Sequence, residues 1–202
     1  MLLYGMYGYG LTRGYYGMDW TYLLVLIGAV VCIAANWRVQ SAYTKYARVR
    51  STSGLTGAQA AERILRNNGI YDVRVAHVSG TLTDHYDPKE KVVRLSDATY
   101  ASTSVAAVSV AAHECGHVCQ HATGYFPLKL RTALVPAANI GSRIGIPLII
   151  IGALLSMYST LVQLGIWIFA IAVLFQIVTL PVELDASGRA LRMLDQYGLA
   201  GG

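Results

Sequence analysis

The sequence predicts a mainly helical α+β membrane protein with about three membrane-embedded helices, a small antiparallel sheet and one helix carrying a His-Glu-x-x-His motif. Composition is the first observation behind this fold class: 54% of the 202 residues are hydrophobic and 13% are charged, against roughly 25% charged in soluble domains. The mean hydropathy is +0.44. The second observation is the presence of two long uncharged runs, at residues 20–37 and 161–180. Together these features exclude a disordered chain and argue against a wholly soluble one.

The charge balance narrows the classes of partner. Sixteen basic and eleven acidic residues give a formal net charge of +5. The basic residues do not gather on one amphipathic stripe, so we expect them to set membrane orientation and predict no nucleic-acid partner. Three cysteines, Cys32, Cys115 and Cys119, form an odd and sparse set. Such a set argues against a disulfide framework, and the last two are expected to be core thiols.

The first element in chain order is a Gly- and Tyr-rich segment, residues 1–18. It lacks the charged start and continuous apolar stretch of a cleaved signal peptide, so we expect an interfacial lead-in. Residues 19–37 then predict transmembrane helix 1, because their 18-residue uncharged run is bracketed by Trp20 and Trp37 and would span roughly 27 Å. Basic residues follow without an acid among them, which predicts a cytosolic flank: Arg38, Lys45, Arg48 and Arg50.

A cytosolic domain is predicted over residues 38–143. Its first helix opens on the capping-box pattern from Thr56 to Gln59 and should end at Gly69. Alternating or β-branched runs then predict three short strands, at 73–77, 81–86 and 91–95, the last two joined antiparallel by a turn and the last lying near an open sheet edge. Ser102 or Thr103 is expected to cap a buried helix that runs to about Thr123.

The remaining elements are apolar. Residues 127–143 mix apolar and basic side chains and predict an interfacial helix. The run 144–158 would rise only about 22 Å, so it either extends upstream or forms half of a re-entrant hairpin. With the 20-residue run 161–180 it predicts a transmembrane helical hairpin over 144–180. Pro181 is expected to open a separate C-terminal helix, residues 181–202.

The chemistry-bearing motif lies in the predicted buried helix. His113 and His117 are four residues apart, so their azimuths on a helix differ by about 40° and both imidazoles can reach one point. Neutral imidazole suits Zn²⁺, and Glu114 beside them can act as a general base on zinc-activated water. Composition alone would produce roughly 0.0025 such motifs in a chain of this length. The motif therefore predicts a catalytic zinc site.

A catalytic zinc needs a third protein ligand. The residues after His117 lack the extension that supplies a third His in some zinc proteases, and His121 lies one turn further along, where it fits a supporting position better. The carboxylates downstream of the motif are Glu183, Asp185 and Asp195. A helical hairpin over 144–180 returns the chain to the side it left, so we expect Glu183 to be the third ligand.

Three blocks of sequence resemble a known family. Residues 82–88 (LTDHYDP), 111–121 (AAHECGHVCQH) and 180–187 (LPVELDAS) are similar to those of the YugP-like bacterial membrane zinc metallopeptidases, or zinc metallopeptidase type 2, over roughly residues 20–197. The arrangement is more distantly similar to the HtpX and CAAX-prenyl endopeptidases. The resemblance implies a membrane metalloendopeptidase with cytosolic catalysis, zinc as cofactor, His113, His117 and Glu183 as ligands and Glu114 as base.

Two departures from that resemblance matter. Related gluzincins, the zinc proteases whose third ligand is a Glu, often carry Asp four residues after this Glu. Here Ser187 stands in that place and could bond a ligand more weakly. Members of the family also continue into another apolar segment, whereas this sequence ends at Gly202, so we expect a shortened or divergent chain.

Other polar residues have both a functional and a structural interpretation. His85 or Tyr86 could donate a hydrogen bond to the oxyanion of the reaction, or could simply pack at a turn after Asp84. Arg189 could donate in the same way or pair with Asp185. His121 is expected in a supporting position.

These observations lead to one functional prediction and one rival. We predict a multi-pass protein of the inner (cytoplasmic) membrane, a gluzincin-type zinc metalloendopeptidase hydrolysing peptides or membrane-protein segments near the cytosolic face. The rival is a catalytically silent zinc-binding membrane scaffold, in which we would expect the general base or one of the zinc ligands to be missing. The predicted base and all the predicted ligands are present in this sequence.

Overall fold

The fold is described from a computed structural model covering residues 20–155 and 159–199; the predicted segment 1–18 lies outside the described residues. Helix α1 belongs to one compact unit of the chain, and the elements from Lys45 onward form a second unit. The elements in order are α1 Trp20–Tyr46, α2 Gly57–Asn67, β1 Arg74–His77, β2 His85–Asp87, β3 Val92–Leu95, α3 Asp97–Tyr100, α4 Val105–Ala122, α5 Phe126–Leu154 and α6 Ser159–Gln196.

Three helices of the described residues are long and apolar enough to cross a membrane: Leu23–Tyr46, Phe126–Leu154 and Thr160–Gln196. The predicted α+β class with three membrane-embedded helices is therefore confirmed. The elements outside the three apolar helices pack around α4, and most of its first half is apolar and buried, as expected. Helices α2, α4 and the end of α6 and strand β3 share one core, to which they contribute Ala61, Ile64, Val93, Leu95, Ala111, Cys115, Met193 and Leu194.

Both ends of α2 are as predicted, and the start of α4 is not. Thr56 and Gln59 form the complete capping box of α2, and Gly69 follows that helix with a positive φ of 70°. The cap of α4 is Ser104, not Ser102 or Thr103 as predicted. The physical reason is that Ser102 bonds the backbone N–H and hydroxyl of Ser104, which leaves the Ser104 hydroxyl to accept from the helix.

The sheet is mixed, whereas a wholly antiparallel one was predicted. Its strand order is β1-β3-β2, with β2 antiparallel and β1 parallel to β3. The expectation that residues 91–95 lie near an open edge was wrong, because β3 is the most buried strand and takes the centre. Strand β2 is also shorter than predicted: Leu82 has a positive φ and the Asp84 carboxylate accepts from Ser96, so the chain enters pairing only at His85.

The apolar C-terminal half is simpler than predicted. The interfacial helix expected at 127–143 and the short run after it form one 29-residue helix, α5, which continues through Pro136 and Pro147. The upstream extension of the short run is therefore correct, and residues 156–158 of that run lie outside the described part. Pro181 does not open a new helix, because α6 runs through it. Packing of α5 along α6 supports both helices where proline removes a backbone donor.

Candidate metal centre

The two histidines of the motif and Glu183 meet between α4 and α6. The Glu183 Oε2 atom lies 3.3 Å from His113 Nε2 and 3.5 Å from His117 Nε2. One ligand atom from each of these three residues falls within 4.8 Å of the other two. Two imidazoles and one carboxylate are the donor set of a catalytic zinc site, so these residues fit that metal.

Close helix packing places the carboxylate there. Gly116 lies between the two histidines on α4 and faces Ala186 of α6, which lies between Glu183 and Ser187 in sequence. A Cβ built on Gly116 would fall 2.5 Å from the Ala186 carbonyl oxygen, so the absence of a side chain is what allows this approach. The side of α6 that faces α4 here is apolar and buried, and it includes Val182, Ala186 and Ala190.

The Nδ1 atom of each histidine, the ring nitrogen that faces away from Glu183, lies within hydrogen-bond distance of a polar side chain. The Ser187 hydroxyl lies 3.2 Å from His113 Nδ1, in the position where related gluzincins carry Asp. Gln120 Oε1 lies 3.0 Å from His117 Nδ1, and Gln120 Nε2 donates to the Val182 carbonyl and to Asp185. Sequence reasoning missed Gln120. Its position three residues after His117, on one face of a buried helix, was the signal that could have identified it.

Glu114 is separate from the ligand group but adjacent to it. The residue is only 8% exposed. Burial raises the pKa of its carboxyl group, an effect that the nearby His117 and His113 partly oppose. A carboxyl group with a raised pKa holds a proton more readily after accepting it, which suits a general acid–base role.

A cleft of about 270 Å³ opens onto the three grouped residues. Strand β2 and the turn beside it form one wall, and α5 forms another. His85 and Tyr86 line it as predicted, and the Tyr86 hydroxyl lies 3.3 Å from His121 Nδ1. The lining residues are Asp84, His85, Tyr86, Pro88, His113, Glu114, His117, His121, Leu128, Arg131, Thr132 and Glu183.

Arg131 is a second residue that sequence reasoning missed. Its Nε atom is buried, and no hydrogen-bond partner for it exists among the described residues. No sequence pattern marked it, because it lies in the apolar and basic stretch that predicted only an interfacial helix. A guanidinium group whose Nε donor is unpaired at the wall of a cleft is suited to an incoming carbonyl or carboxylate oxygen.

The remaining candidates lie away from the ligand group. Arg189 Nε donates to Asp185 Oδ2 at 2.7 Å, which is the pairing given as its alternative role. Asp195 is exposed. Cys115 and Cys119 are buried free thiols, and burial raises the pKa of both, as expected of core residues.

Comparison with known proteins identifies the family of the chain. Residues 21–201 match the family described as "Putative neutral zinc metallopeptidase". The chain is 48% identical over 164 residues to the "Putative membrane protease YugP" of Bacillus subtilis (strain 168), covering 81% of this chain and 72% of that protein. No solved structure matches. The family implies zinc, and the predicted resemblance is confirmed: this chain belongs to the neutral zinc metallopeptidase family and is a membrane protein of that family.

Proposed function

We propose that the protein is a zinc-dependent membrane endopeptidase of the gluzincin type, with His113, His117 and Glu183 as the zinc ligands. The observation that carries the proposal is the convergence of these three side chains from two helices onto one point, beside a buried glutamate and an open cleft. Residues 113 and 183 are 70 positions apart in sequence, so this convergence is a property of the fold.

In this proposal Glu114 is the general base. Zinc, when bound, supplies Lewis-acid activation of a water molecule and of the scissile carbonyl group. The Glu114 carboxylate removes a proton from the attacking water and later gives it to the leaving amine. Burial of Glu114 keeps its carboxylate away from bulk water, so the transferred proton is retained until the amine departs.

The cleft wall supplies groups for the substrate. In the described sheet β2 pairs only with β3, so its other edge is open to an extended peptide segment that adds as a strand. His85 and Tyr86 on this strand, with Arg131 opposite, are placed to donate to substrate oxygens. Such donation to the developing oxyanion would stabilise the transition state.

We further propose that catalysis takes place at the cytosolic face of the inner membrane. The support is the basic flank after the first apolar helix and the hairpin formed by α5 and α6. We keep the predicted division of the chain as part of this proposal. The cytosolic metallopeptidase domain covers residues 38–143, the transmembrane hairpin covers 144–180, and the C-terminal segment begins at 181. Helices α5 and α6 run unbroken across both later boundaries.

The test is Glu114→Gln in protein purified into lipid nanodiscs. We expect one zinc per chain in both wild type and variant, cleavage of fluorescein-labelled casein by the wild type, and no cleavage by the variant. Glu62→Gln is the matched control, because Glu62 is an exposed glutamate of α2 that pairs only with Arg66 in the described structure. It should cleave like the wild type. A zinc-loaded wild type that cleaves nothing, or a variant that cleaves normally, would refute the proposal.

A further inference from the structure

A chain of polar side chains extends behind His117, on the side away from Glu183. His117 Nδ1 lies 3.0 Å from Gln120 Oε1, and Gln120 Nε2 lies 2.9 Å from Asp185 Oδ2. Asp185 Oδ2 in turn accepts from Arg189 Nε at 2.7 Å. The chain thus crosses from α4 to α6 and ends on an ion pair.

The hydrogen-bond chemistry of this chain determines where its protons are. The Val182 carbonyl oxygen, 2.7 Å from Gln120 Nε2, and the Asp185 carboxylate can only accept. The group of Gln120 that faces them must therefore be its NH₂, which leaves the amide oxygen toward His117. An amide oxygen only accepts, so His117 Nδ1 must carry the hydrogen, which leaves Nε2 as the ring nitrogen that would bind the metal.

His113 is not constrained in this way. Its Nδ1 atom faces the Ser187 hydroxyl at 3.2 Å, and a hydroxyl can either donate or accept. Ser187 is also exposed, so water competes for both partners. Gln120, by contrast, is 0% exposed, and its hydrogen bonds act without competition from water.

We infer that Gln120, held by Asp185, is the positioning residue that fixes the tautomer and orientation of His117 for the metal. The inference rests on the proposed zinc ligation. It gives Asp185, one of the carboxylates weighed as third ligand, a different role: it fixes Gln120, which orients His117. Since His117 is the more rigidly held of the two histidines, the loss of this support should be felt as weaker metal binding.

The experiment measures metal binding independently of cleavage. Zinc dissociation constants are determined by competition with a chromophoric chelator for wild type, Gln120→Met, Asp185→Ala and Asp185→Asn. Loss of such a supporting group typically costs about 10- to 100-fold in affinity, and we expect this for Gln120→Met. Asp185→Ala should lose less, and Asp185→Asn should recover part of that loss, because its amide oxygen can still accept from Gln120.

Two further measurements separate positioning from a general packing effect. Nitrogen-15 NMR of labelled histidine in the zinc-bound protein should show a hydrogen on His117 Nδ1 and the metal on Nε2 in wild type, and a mixture of forms in Gln120→Met. The Co²⁺ visible spectrum should change in that variant even at saturation. Gln196→Met is the matched control, since Gln196 is exposed near the end of α6, and it should change neither zinc affinity nor spectrum.

Each outcome decides the inference. Zinc affinity within twofold of wild type in folded Gln120→Met would overturn it. If that variant does not fold, unchanged affinity in Asp185→Ala would overturn it equally. Failure of the protease proposal would look different, because casein would remain uncut by the zinc-loaded wild type while the affinity ranking of these variants still held.

Discussion

The close approach of α4 and α6 at Gly116 can be tested by adding one methyl group. In Gly116→Ala the new Cβ would fall 2.5, 3.1 and 3.2 Å from the carbonyl oxygen, carbonyl carbon and Cα of Ala186. All three atoms belong to the backbone of a helix, so no side-chain rotation can relieve the contact. Helix α6 itself has to move.

The size of the effect follows from these distances. Ordinary van der Waals contact begins at 3.4 Å, so the helices must separate by about 0.9 Å at this point. Overpacking of this kind costs about 1–3 kcal/mol, and the better helix propensity of Ala returns only about 0.5–1 kcal/mol. Metal–ligand distances tolerate about 0.2 Å. A shift several times larger, midway between the histidines and Glu183, should weaken zinc binding by at least about tenfold.

The assay is the thermal unfolding midpoint together with the zinc dissociation constant of the nanodisc-embedded protein. The matched control is Gly188→Ala on α6, because no atom lies within 4 Å of a Cβ built there. We expect Gly188→Ala to keep its zinc affinity and to unfold at the same or a higher temperature. If Gly116→Ala bound zinc as tightly as the control, the claim that this approach sets the ligand geometry would be refuted.

Three other perturbations give separate tests. Glu183→Ala should lose zinc on dialysis against a chelator while Asp195→Ala keeps it, and the opposite order would exclude Glu183 as a ligand. Thr56→Ala removes a side-chain cap of α2 and should cost about 1 kcal/mol of unfolding free energy, measured by chemical denaturation; an unchanged midpoint would contradict this. A cysteine introduced at Lys89 should react with a membrane-impermeant maleimide only after cells are opened, and labelling of intact cells would reverse the proposed orientation.

The grouping of His113, His117 and Glu183 was the part of the molecule most open to prediction from sequence. Helical spacing alone put His113 and His117 on one face, and the predicted hairpin over 144–180 returned Glu183 to their side of the membrane. The structure brings Glu183 to His113 and His117 and turns Asp185 toward Gln120. The helical repeat is sufficient to predict which side chains of one helix share a face.

Contacts between distant segments that no motif marks could not be predicted from the sequence. Gln120 follows His117 by three residues, but the partners that orient its amide group, Val182 and Asp185, are about sixty positions away. The central position of β3 in the sheet likewise could not be predicted, because it depends on which strand has another strand along each of its two edges. Pro181 looked like a helix start, because the local rule for proline takes no account of the support that a packed neighbouring helix provides.

The continuity of α6 has a consequence for which peptide bonds the protein could cut. Glu183 follows the uncharged stretch 161–180 by three residues on the same unbroken helix, an axial rise of about 4.5 Å. If that stretch crosses the bilayer and Glu183 holds the zinc as proposed, the metal lies at a set height above the lipid, because α6 continues through Pro181 to Glu183. Substrate choice would then depend on distance from the membrane. A peptide bond would be accessible when its own membrane anchor holds it at the height of the metal, whatever residues flank the bond.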